Sequence, residues 1–104
     1  MDYLARLLLR AELRNWLIEI GCSGDLVVPQ AGSQIAFRIL GKPILFEVSS
    51  VVFYPGTDLP PVVVTKPMDV LGEDVAAGIA ASLSVLCDGN RLIYRRFKEV
   101  LETP

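Results

Sequence analysis

The chain has 104 residues, with ten Lys and Arg against twelve Asp and Glu and no histidine. Its length is that of one domain, and a hydrophobic content of 52% excludes intrinsic disorder. A formal net charge of −2 argues against a phosphate-driven nucleic-acid binder, and the lack of histidine removes the commonest general base and transition-metal ligand.

In chain order, residues 2–20 contain no Gly or Pro, are rich in Leu and end at Gly21. This predicts an N-terminal helix capped by Asp2. Leu26, Val27 and Val28 read as a first short strand, followed by a turn at 29–32. Ile35, Phe37 and Ile39 alternate with polar or small residues, the period of a strand with one buried face. Gly41-Lys42-Pro43 then turns the chain into a hairpin. In the next strand Ile44, Phe46 and Val48 share one face, whereas Val51 and Phe53 fall on the other, which predicts a bulge or bend at Ser49-Ser50. Residues 62–65 form a fourth strand ended by Lys66-Pro67.

The last third reads as helical. Gly72 or Asp69 caps a helix with Glu73 and Asp74 in its first turn, the sign its N-terminal dipole favours. Val75, Ile79, Leu83 and Leu86 form its apolar stripe, and Asp88-Gly89 stops it. Asn90 caps a final helix striped by Ile93, Phe97, Val100 and Leu101. The expected architecture is a single α+β domain over 1–104: an N-terminal helix, a four-stranded antiparallel meander sheet and two C-terminal helices.

Cys22 and Cys87 lie far apart with no Cys-x-x-Cys pattern. Two buried reduced thiols are expected rather than a disulfide framework. No uncharged stretch approaches the roughly 18–20 residues of a spanning helix, and the N-terminus lacks signal-peptide character. The reading is an intracellular protein, cytoplasmic or nuclear, with no membrane, metal, cofactor or nucleic-acid partner.

The segment Tyr54-Pro55-Gly56-Thr57-Asp58-Leu59-Pro60-Pro61, between the third and fourth strands, resembles the corresponding loop of RWD domains. The flanking runs Ile44-Leu45-Phe46-Glu47-Val48 and Pro61-Val62-Val63-Val64, and the closing Gly89-Asn90-Arg91-Leu92-Ile93-Tyr94, resemble that family in the same order. The resemblance implies the core of the ubiquitin-conjugating-enzyme fold without its catalysis. Residues by themselves allow two roles for Tyr54, Pro55, Pro60 and Pro61, a structural latch or a partner-binding loop. Prolines fix φ, and the Tyr54 hydroxyl is suited to pin the loop.

On a helical wheel, Leu4, Leu7, Leu8, Ala11 and Ile18 oppose Ala5, Leu9, Leu13, Trp16 and Ile20, with Arg6, Arg10 and Arg14 along one edge. Two apolar faces predict a sandwiched helix, covered by the domain's own C-terminal helices or by a second chain. Leu9, Leu13 and Trp16, rimmed by Arg6, Arg10 and Arg14, are the expected protein interface. The leading expectation is a non-catalytic protein-interaction module, a dimer or complex subunit. Two alternatives stand beside it: a secretion-chaperone-like homodimer holding an unfolded segment, and a degenerate conjugating enzyme using the thiol of Cys22 or Cys87.

Overall fold

The computed structural model describes residues 2–24, 27–39 and 41–101. Among the described residues, seven strands and one helix follow in the order β1 (Tyr3–Ala11), β2 (Arg14–Cys22), β3 (Gln34–Ile39), β4 (Lys42–Val52), β5 (Val62–Thr65), β6 (Met68–Asp69), α1 (Glu73–Leu86) and β7 (Leu92–Val100). All strands join one mixed sheet in the order β3-β4-β5-β1-β2-β7, with β6 also on β1. β5 and β6 run parallel to β1, and the remaining pairings are antiparallel.

The predicted N-terminal helix does not form: residues 2–20 belong to a β-hairpin, Tyr3 pairing with Cys22 and Ala11 with Arg14. Tyr3, Ala5, Leu7, Leu9 and Ala11 alternate along β1, and all are buried in the core. Trp16, Ile18, Ile20 and Cys22 do the same along β2. A spacing of four residues fits a period of two as well as a helical turn, so Arg6 and Arg10 share a sheet face just as they would share a helix edge. The hairpin turn, Glu12-Leu13, contains none of the Gly, Asn or Pro that signal one.

The predicted final helix is also corrected, to the edge strand β7. Its register on β2 shifts between Glu19 and Ile20, so Phe97 faces Ile18 and Tyr94 faces Ile20, leaving Arg95 as the extra residue. The bulge puts Ile93, opposite Gly21, and Phe97, opposite Ile18, on different faces of the sheet, although their spacing of four fits one helical stripe. The four-stranded antiparallel meander gives way to a mixed sheet because β1 inserts between β5 and β2. Val27 and Val28 form no strand, and Leu26 lies outside the described residues.

Other expectations match the fold. The hairpin of β3 and β4 turns through Gly41 at φ 79°. The β4–β5 register slips between Val48 and Ser50, at the expected bulge. α1 begins after Gly72 with Glu73 and Asp74 in its first turn. Its buried residues are Ala76, Ala80 and Leu83, while Val75 and Leu86 are exposed, so the buried stripe is rotated by about one residue from the expected one. The helix packs on the face bearing Leu7, Leu9, Ile18, Phe46 and Val63, while Leu8, Leu17 and Glu19, on the other face, are also buried.

Where the chain steps from β5 to β6, the β1 ladder is interrupted. The Leu8 N–H donates instead to the buried Thr65 hydroxyl at 3.0 Å, so no donor is stranded there.

Candidate interaction surface

The residues expected to form one interface are distributed over three places. Leu9 and Trp16 lie in the core, where Trp16 stacks on Phe97 with centroids 5.3 Å apart. Arg6 and Arg10 stand on the opposite face of the sheet. Leu13 and Arg14 sit at the tip of the first hairpin, where Leu13 is 98% exposed.

That tip is built unusually. Glu12 and Leu13 have φ of 51° and 66°, the left-handed values of a two-residue type I′ loop, without a glycine. Each such residue costs of order 1–3 kcal/mol, and strain of this kind persists only where the surrounding structure holds it in place. Around the tip the topology gathers other groups. The Val70 N–H donates to the Arg10 carbonyl, which brings the 93% exposed Leu71 to the same end of the sheet. Val100 pairs with Asn15, so the exposed Leu101 follows there too. Arg14 reaches Glu73 and Glu99, both at 3.8 Å, and ties the tip to α1 and β7. Leu71 was not singled out by its sequence context, since a lone Leu after β6 carries no periodic signal.

The face of Arg6 and Arg10 holds a charge cluster that sequence reasoning missed. Glu19 is only 5% exposed, yet it is surrounded by cations. Arg6 Nε lies 3.3 Å from Oε2, Arg96 Nη2 3.2 Å from Oε2, and Arg95 Nε 3.5 Å from Oε1. The β7 bulge is what turns both Arg95 and Arg96 toward one carboxylate.

The loop at 54–61 is closed by Thr57, whose hydroxyl donates to the Tyr54 carbonyl at 2.7 Å and accepts from the Leu59 N–H at 3.3 Å. Thr57, rather than Tyr54, supplies the side-chain bonds of this loop. Tyr54 and Pro55 are exposed and Pro60 and Pro61 half-buried. Tyr54, Leu59 and Pro60 border a cleft of about 220 Å³ with Leu4, Arg6 and Val62.

Both cysteines are free thiols. Burial is the main cause raising the thiol pKa of Cys22, deep beside Tyr3, and that of Cys87 at the end of α1. Raised thiols are poor nucleophiles at neutral pH. Among the described residues, no three Cys, Asp or Glu side chains gather as a metal site. No helix of the described residues is long and apolar enough to cross a membrane.

Comparison with known proteins finds no matching family model, no matching curated protein and no matching solved structure. The helix–meander–helix–helix order that accompanied the RWD resemblance is not the order of this fold.

Proposed function

We propose that this chain is a non-catalytic protein-interaction domain, a dimerising unit or a subunit of a larger intracellular assembly, that docks through the sheet end carrying Leu13 and Leu71. The observation that carries this reading is a fully exposed leucine held on a turn of two left-handed non-glycine residues. Folding alone favours Asn-Gly at those positions, and a large apolar side chain in water gains nothing until a partner covers it.

The test is a photo-crosslinking leucine analogue at position 13, with the same analogue at the exposed Ala31 on the far side of the β-sheet order as control. A discrete adduct, with a second copy or another protein, formed only from position 13 supports the reading. Absence of any adduct, together with a monomeric mass by light scattering at high concentration, rejects it.

A further inference from the structure

The sheet face turned away from α1 carries a concentration of positive charge. Register places Arg6 and Arg10 of β1 and Arg96 and Lys98 of β7 on it, with Glu19 of β2 between them, and Arg95 joins through its ion pair to Glu19. The neighbouring acidic groups are few: Asp69 stands beside Arg10, and Glu47 is ion-paired with Lys66. The whole chain has a formal net charge of −2, so this cationic face is set against an acidic remainder. Such segregation directs association rather than folding.

Glu19 supplies a single carboxylate to three guanidinium groups. Those of Arg6, Arg95 and Arg96 remain between a third and a half exposed, while Glu19 is almost fully covered. Guanidinium forks with unused donors match further carboxylates bidentately. Beside them, Leu4, Gly21 and Ile93 lie in one cross-strand row, and Gly21 contributes no side chain. A shallow depression of about 480 Å³ lined by Glu19, Ile93, Tyr94, Arg95 and Arg96 opens there. Nucleic-acid-binding sheets instead present rows of exposed rings for base stacking. Here the Trp16 and Phe97 rings are turned to the core and stacked on each other, and Tyr94, beside the depression, is half-buried.

We propose that this face binds an acidic polypeptide segment of a partner protein, with its carboxylates on Arg6, Arg95 and Arg96 and an apolar side chain in the depression beside Ile93. The depression, with Arg95 and Arg96, lies toward the other end of β2 from Leu13, so the site goes beyond the docking end proposed above and stands or falls separately.

The test uses fluorescence anisotropy on the full chain with three labelled probes: a peptide of alternating Glu and Leu, its Gln-and-Leu counterpart, and a single-stranded oligonucleotide of equal charge. The Glu peptide is expected to bind, to weaken with added salt, and to lose about tenfold or more in affinity on charge reversal by Arg95→Glu. Arg95 also holds Glu19, so Lys98→Glu is the second variant. Lys98 has no ion pair among the described residues, and its reversal is expected to weaken binding while leaving Tm unchanged. Leu13→Asp should leave the affinity unchanged; an equal loss there overturns the assignment to this face. So does failure of the Glu peptide to bind folded wild type, equal binding of the Gln peptide, or tighter binding of the oligonucleotide.

Discussion

Trp16 had every mark of an interface anchor on a helical wheel, and its true surroundings change what its substitution does. The indole is 7% exposed, stacked on Phe97, and its Nε1 is buried without a hydrogen-bond partner among the described residues. Trp16→Phe keeps an apolar ring against Phe97 and removes a stranded donor, so it should cost under about 1.5 kcal/mol. Trp16→Ala opens the core and should cost about 3–5 kcal/mol. Urea denaturation of the two variants checks this, and similar small losses for both would mean that the ring does not pack as described. Asp88 offers a second single-residue prediction. Its Oδ1 accepts the N–H groups of Asn90 at 2.7 Å, Arg91 at 2.9 Å and Leu92 at 3.3 Å, which starts β7. These bonds, that from Asn90 foremost, hold its carboxyl below the ordinary value of 3.8. Because the folded value is the lower one, the charged form adds stability above pH 3.8 that is lost as pH falls through the folded value. The Tm of wild type should therefore drop more steeply than that of Asp88→Asn below this pH. Parallel curves would show that another group carries the acid dependence.

The first hairpin sets stability against use within one element. Replacing Glu12-Leu13 by Asn-Gly supplies residues that adopt left-handed φ readily. It should stabilise the domain by about 1 kcal/mol or more, raising Tm by roughly 4–8 °C for each kcal/mol in a domain of this size. The same exchange removes the exposed leucine and should abolish the crosslinking at the hairpin tip. Calorimetry that finds no gain in Tm would mean the left-handed pair is not strained. This turn also explains why the N-terminal third was misread. Its strands are built from Leu and Arg at spacings shared by both periodicities, and nothing in Glu12-Leu13 announces a reversal. By contrast β3, β4 and α1 were legible, because alternation, Gly41 and the Glu73-Asp74 start are local signals. The slip at Ser49-Ser50 was legible too, since a bulge exchanges the faces of the residues beyond it. In β7 the same kind of defect hid the strand: with Arg95 looped out, strict alternation is lost, and Ile93, Phe97, Val100 and Leu101 recur at helical intervals. Of the candidate surface, Leu13, Arg14, Arg6 and Arg10 were found from sequence, whereas the meeting of Glu19 with Arg95 and Arg96 depends on pairing that no local pattern encodes.

Long-range pairing also decides how the molecule must assemble. β1 and β2 can close at once through their short turn, but β1 completes its other edge only with β5, in parallel. Leu8 and Thr65 meet across 57 positions of chain, and Glu19 meets Arg96 across 77. Loop closure of that length must be met before its contacts return any stabilisation, and such topologies fold slowly. α1 cannot seal the core earlier, because it packs against β7, β3 and β1, and β3 and β7 lie at opposite ends of a sheet joined only through the β5–β1 pairing. Refolding is therefore expected in the millisecond-to-second range that mixed and β-rich domains occupy. Val63→Ala, at a fully buried position in the β1–β5 pairing, should cost about 1–3 kcal/mol and slow refolding. Ala80→Gly in α1 costs about 1 kcal/mol in helix propensity and should act mainly by speeding unfolding, since the helix docks after the sheet has closed. Stopped-flow chevron plots separate the two arms. Refolding faster than a millisecond, or a Val63→Ala effect confined to the unfolding arm, would place the parallel pairing after the barrier and make the hairpin and helix the nucleus instead.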